Sequence, residues 1–186
     1  MALIITILLK LNLVNEFFIN KDLLIYFIFF IIILFILNLF NLLMLGDAGA
    51  YTLSFFVGFL IIKCHNFNPN ISPYFFITLL WYPCFENLFS IIRKKRFNLS
   101  PLNADNKHLH HLLFYYLNSN FKFTKIFSNN MSSILINLVN LIFFIIGANY
   151  VNNSLVQFFL IFTLILIYVS TYLVLFKFRY KKFFNH

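Results

Sequence analysis

The sequence predicts an all-α, polytopic transmembrane bundle of about six helices, and three observations carry that expectation. Hydrophobic residues make up 62% of the 186 residues and charged residues only 10%, against roughly 25% charged in soluble domains. A water-soluble fold of this length has no interior large enough for that much apolar side chain, 29 Phe included; hydrocarbon accommodates it. Long runs without charge recur at lengths that suit a core of about 30 Å, which a helix crosses in about 20 residues. Basic residues gather in two segments beside those runs. No internal repeat, heptad pattern or strand-period alternation interrupts the picture, so residues 1–186 read as a single transmembrane domain.

The elements follow in order. Met1 to Val14 is short, apolar and carries Lys10; no small-residue cleavage site follows, so it reads as a first span and not a signal peptide. Leu23 to Leu45 is uncharged, interrupted only by Asn38 and Asn41. Ala48 to Ile62 is a short span with Gly49 and Gly58. Ile71 to Ile92 contains Pro73, Pro83 and one acid, Glu86. Residues 93–130 form a basic, histidine-bearing loop whose aromatic stretch Leu112 to Phe127 is suited to lie along the membrane interface. Met131 to Tyr150 and Leu155 to Phe176 are two further uncharged runs, joined by Val151-Asn152-Asn153. Cys64 and Cys84 show neither metal spacing nor a disulfide framework and read as packing residues.

Orientation follows from the short loops. Asn15 to Asp22 carries one Lys and two acids, and Lys63 to Asn70 carries one Lys. Arg93 to Lys125, by contrast, holds Arg93, Lys94, Lys95, Arg96, Lys107, Lys122 and Lys125, and the C-terminal segment holds Lys177, Arg179, Lys181 and Lys182. Six spans put both basic segments on one side, which the positive-inside rule makes cytoplasmic. The net charge of +9 is thus explained by topology and anionic lipid, and no nucleic-acid partner is expected. The same arrangement brings the turn at Gly46-Asp47 and the histidines to the cytoplasmic face.

Three groups of residues could carry chemistry. Asp47, between two apolar runs, is a functional candidate because a carboxylate at the membrane edge is costly. It is equally suited to cap a helix beginning at about Ala48, and the two roles are compatible. Asp is also a hard oxygen ligand of the kind Mg²⁺ takes, alongside substrate phosphates, and Gly46 and Gly49 let the backbone turn tightly beside it. His108, His110 and His111 fall within four residues, after Asp105 and Lys107. Such a cluster can bind phosphate, shuttle protons or ligate a metal, or be a solvated, weakly basic loop. Zinc fits poorly, with no second ligand cluster and no nearby Cys. Glu86, inside a span, must face a polar interior, and the sequence names no partner for it.

These residues resemble a known family, the polyprenyl-phosphate sugar-1-phosphate transferases. Leu45-Gly46-Asp47-Ala48-Gly49-Ala50 is similar to the family's GDAGS turn. Ser100-Pro101-Leu102-Asn103-Ala104-Asp105-Asn106-Lys107-His108-Leu109-His110-His111 resembles its SPFxADRxHLHH loop. Between them, Ser72-Pro73, Pro83-Cys84-Phe85-Glu86 and Arg93-Lys94 resemble the intervening stretch. The likeness runs in order over about Leu23 to Leu117. It is closer to the branch that loads N-acetylhexosamine phosphates than to the muramoyl-pentapeptide branch.

The resemblance implies transfer of a sugar-1-phosphate from a UDP-sugar to undecaprenyl phosphate, at the cytoplasmic face of the cell membrane, for envelope polysaccharide synthesis. It implies Mg²⁺, or Mn²⁺ in its place, held by Asp47. It further implies His108, His110 and His111 as catalytic residues, with Gly46, Arg93, Lys94, Asp105 and Lys107 around the substrate phosphates and uridine. This chemistry suits a loop of cations, since phosphoryl transfer depends on positioning and on neutralising phosphate oxygens. The sequence also departs from the pattern. Ala50 stands for Ser, Leu102 for Phe, Glu86 for Asp and Asn106 for Arg, the last removing a fixed cation. Family members are about twice as long, with an acidic N-terminal half that has no counterpart here. The expectations are a separate chain supplying that half, or its loss through a wrong start site or a frameshift, with a homodimer partner as a further alternative. The competing expectations are an inactive membrane remnant of the family and a small transporter built around Glu86.

Overall fold

The computed structural model describes residues 21–40, 42–43, 46–96, 98, 100, 106–121 and 123–180, without the side chains of 21–24, 39, 47 and 67. The expected span at Met1 to Val14 lies outside them. Among the described residues there are six helices and no strand: α1 (Lys21–Leu39), α2 (Gly46–Phe67), α3 (Pro73–Arg96), α4 (Leu109–Phe121), α5 (Lys125–Asn149) and α6 (Ser154–Arg179). Four are long and apolar enough to cross a bilayer, over Ala48–Asn66, Pro73–Arg96, Lys125–Asn149 and Ser154–Arg179. Their outward faces keep large apolar side chains such as Phe55, Leu155 and Val174 exposed, a pattern that water penalises and lipid does not. The chain is a multi-pass helical membrane protein.

Local chemistry sets the helix ends. Gly46 has φ +66°, the left-handed region that glycine enters without a Cβ penalty. That glycine occupies the junction, and Asp47 follows it in the first turn of α2. Pro73 opens α3 at the one position where a missing N–H costs nothing. Thr124 caps α5, accepting from the Phe127 N–H, and Asn153 caps α6, accepting from the Leu155 and Val156 N–H groups. The Thr124 cap changes the expected interfacial segment. The stretch Leu112 to Phe127 is not one element: α4 starts earlier, at Leu109, ends at Phe121, and Phe127 already belongs to α5. Helices α2, α3 and α6 also run beyond their apolar cores, to Phe67, Arg96 and Arg179, because Lys and Arg stems extend a helix into the headgroup layer while their charges stay wet.

Helices α3, α4, α5 and α6 pack on one another, α4 lying against both α5 and α6. One apolar cluster joins Ile31 of α1, Val57, Leu60 and Cys64 of α2, and Phe75 and Leu79 of α3. A second joins Trp81 of α3, Leu109 and Leu112 of α4, and Leu164, Tyr168 and Tyr172 of α6. At one end of the bundle the α2–α3 and α5–α6 connections meet, through Ser72 N–H to the Val151 carbonyl at 3.1 Å and Ser154 Oγ to Ser72 Oγ at 3.0 Å. At the other end lie the basic ends of α3 and α6, with the segment that leads into α4.

Candidate functional site

The site is assembled by long-range bonds to four consecutive residues, Asn106 to Leu109. Arg179, in the last turn of α6, donates from Nη1 to the Asn106 carbonyl at 2.8 Å. Arg93, in the last turn of α3, donates from Nη1 to the Lys107 carbonyl at 2.9 Å and to Tyr172 Oη at 2.8 Å. His108 Nδ1 lies 2.9 Å from Glu86 Oε1, and the Leu109 N–H donates to that same oxygen at 3.1 Å. The other carboxylate oxygen accepts from Tyr168 Oη at 2.7 Å. Helix α4 begins here, with the Leu112 N–H closing its first turn on the His108 carbonyl. The leading N–H groups of a helix have no partner within it. Glu86 fills that role for Leu109 from a different helix, with its charge at the positive end of the α4 dipole.

This mounting anchors His108, and the other two imidazoles lie beside it. The His110 and His111 ring centroids are 4.1 Å apart, and His108 stacks on His110 at 5.7 Å. His110 lies on α4, outside the spanning segments. Burial and the neighbouring His111 hold it below the usual histidine value of 6.5, with Glu86 opposing and His108 adding to the effect. It is therefore a neutral donor and acceptor near pH 7. Lys107 is half-buried with its ammonium 6.0 Å from the Tyr180 ring centroid. Lys94 is buried on α3.

The opposite face of α4 lines a cavity of about 420 Å³. Leu109, Leu113 and Tyr116 face it at spacings of four and three residues, the same side of a helix. Trp81, Tyr82 and Asn140 contribute from α3 and α5, and Leu164 to Leu175 from α6. That stretch of α6 spans about 16 Å at 1.5 Å per residue. The cavity is apolar and thus reaches from mid-bundle to the helix that carries the histidines.

Of the residues expected from the sequence, Arg93, Lys107, His108, His110 and His111 come together, with Glu86 as their anchor. Arg93 is occupied in holding the loop, where the resemblance implied a ligand of substrate phosphate. Gly46 has open space around it, and its backbone φ alone accounts for glycine there. The Asp47 side chain and all of Asp105 lie outside the described residues, as does their distance from the histidines. The implied Mg²⁺ falls to Asp47, so its ligand lies outside the described side chains. Glu86 is the one acid among the described side chains, and both its oxygens are engaged within the protein. Tyr168, Tyr172 and Arg179 were not anticipated. Their signal in the sequence is a row of aromatics four apart, Tyr168, Tyr172, Phe176 and Tyr180, placing hydroxyls inside an apolar span.

No family model, curated protein or solved structure matches the chain.

Proposed function

We propose that the chain forms the phosphate-binding part of a membrane transferase that passes a sugar-1-phosphate from a UDP-sugar to undecaprenyl phosphate on the cytoplasmic side. The observation that supports this most is the two-faced helix α4. One face carries His108, His110 and His111 at its N-terminus, and the other lines an apolar cavity of about 420 Å³. An acceptor with an anionic head and a long isoprenoid chain needs both within one helix width. In this reading Lys107, His110 and His111 receive phosphate oxygens at the N-terminus of α4. Arg93 and Arg179 keep the loop backbone in register from below. The chain enters along Leu113, Tyr116 and α6. The ordered likeness at Gly46-Asp47 and at Ser100 to His111 supplies the donor, a UDP-sugar, and the reaction type.

The test uses the full chain in lipid nanodiscs, combined with the acidic N-terminal half of an intact family member. Radiolabelled UDP-N-acetylglucosamine and undecaprenyl phosphate are added, and organic-extractable label is counted. Label in the lipid fraction that disappears in His110→Ala and His111→Ala is the expected result. A blank lipid fraction, with the intact relative active alongside, makes the chain an inactive remnant. Solute flux in proteoliposomes that Glu86→Gln abolishes would favour the transporter instead.

A further inference from the structure

The partners of Glu86 give it a more specific task than sealing a polar gap. It is buried, at 7% exposure, and receives three contacts. The Leu109 N–H can only donate, so Oε1 is an acceptor there at 3.1 Å. The same oxygen faces His108 Nδ1 at 2.9 Å. Tyr168 Oη occupies Oε2 at 2.7 Å and is wedged edge-on against Trp81, Phe85 and Phe89. A carboxylate whose Oε1 already accepts one bond presents an acceptor to the ring nitrogen beside it. The His108 side chain is 23% exposed, and Nε2 has no hydrogen-bond partner among the described residues.

We propose that Glu86 is a positioning residue that holds His108 with its hydrogen on Nδ1, so that Nε2 presents a lone pair at the N-terminus of α4 and takes a proton there. The consequence for catalysis rests on the transferase reading; the tautomer does not. In that reaction the phosphate oxygen of the lipid acceptor attacks the sugar-bearing phosphorus. A new P–O bond forms, and the bond from that phosphorus to the UMP oxygen breaks with its electron pair leaving on UMP. The proton of the acceptor's P–OH passes to Nε2. His108 then carries a positive charge, and Glu86, already 2.9 Å from Nδ1, is its counter-charge. The hydrogen bond fixes the tautomer, and the charge steadies the imidazolium.

A plain capping role makes a different forecast. A cap for Leu109 needs one acceptor, which a glutamine supplies. Glu86→Gln therefore keeps the Leu109 bond and the His108 tautomer and loses only the negative charge. The first measurement is ¹⁵N NMR of the full chain in nanodiscs, with His108 assigned by the signal lost in His108→Asn. The expected spectrum shows Nδ1 protonated and Nε2 bare in the wild type and in Glu86→Gln. In Glu86→Leu, Nε2–H becomes populated. A wild-type His108 carrying its hydrogen on Nε2 overturns the proposal, and needs no variant to do so. The second measurement is transfer in the complemented enzyme. Glu86→Gln lowers kcat by about 100-fold, the lower range for a lost proton-transfer group, with KM for the UDP-sugar unchanged. A wild-type kcat in Glu86→Gln overturns the counter-charge role of Glu86. If the wild-type complex transfers nothing, the transferase reading falls, and the ¹⁵N spectrum still decides the tautomer.

Discussion

Removing Arg93 should release the histidine segment without unfolding the bundle. Its guanidinium makes two short bonds from Nη1, to the Lys107 carbonyl at 2.9 Å and to Tyr172 Oη at 2.8 Å, and a longer one from Nη2 to Ser90 Oγ at 3.3 Å. It also sits 5.6 Å from the Tyr172 ring centroid and 6.0 Å from that of Phe89. Hydrogen bonds to a charged group contribute about 1.5–3 kcal/mol each, and a cation–π contact at a wet site about 0.5 kcal/mol. Arg93 is half-buried, so water takes over part of each contact, and the Lys107 bond ties the segment directly. About 2 kcal/mol of local stability follows for Arg93→Ala, or about 30-fold in an opening equilibrium at 1.4 kcal/mol per decade. Hydrogen–deuterium exchange of the full chain in nanodiscs, read by mass spectrometry, should show amides of residues 107–112 exchanging about 30-fold faster. Those in α6 should be unchanged. Arg93→Lys should fall between, since an ammonium keeps the charge and loses the fork. Exchange within about threefold of wild type refutes the clamp. A raised KM for the UDP-sugar in that same variant would return Arg93 to the substrate.

Three further outcomes are expected. Gln157, fully buried, donates to the Gly147 and Tyr150 carbonyls and accepts from Thr78 Oγ1. Both carbonyls keep a second partner, Tyr150 N–H and Asn153 N–H respectively, and hydrogen bonds between membrane helices average about 0.6 kcal/mol each. Gln157→Leu should thus cost about 2 kcal/mol in detergent-mixture unfolding; no loss would mean the network is incidental. Because His110 binds its proton more weakly folded than unfolded, the unfolded chain holds more protons below about pH 6.5. Stability is therefore full above that value and falls as the pH drops towards the lowered folded value. His110→Asn should flatten this slope between pH 7.5 and about 5.5, and an unaltered slope would assign it elsewhere. Asp47→Asn removes a charge from the first turn of α2 worth about 0.3–1 kcal/mol, so stability should barely change. If Asp47 holds the divalent ion, Mg²⁺-dependent transfer should nearly vanish, and a wild-type rate would take it out of the site.

The membrane class was legible because it depends on composition and run length alone. Apolar stretches near Leu23, Ile71, Met131 and Leu155 must satisfy their backbone groups internally in lipid, and only a helix does that within one segment. The turn chemistry of Gly46, Thr124 and Asn153 is local too, although the break at Thr124 was hidden in an aromatic stretch that reads as one amphipathic element. The histidines stood out by spacing. What could not be read was what each charge touches. Glu86 and His108 are 22 residues apart, Arg93 and Tyr172 are 79 apart, and Arg179 and Asn106 are 73 apart. Such pairs meet only once α3, α4 and α6 have packed, and many pairings are open to a buried acid or a guanidinium before then. The sequence by itself determined that the chain lies in a membrane and which side chains are candidates for chemistry. The tertiary structure alone decided that Arg93 and Arg179 bond to the backbone ahead of α4, and that Glu86 meets His108, because burial obliges each polar group to find a partner and only packing says which is within 3 Å.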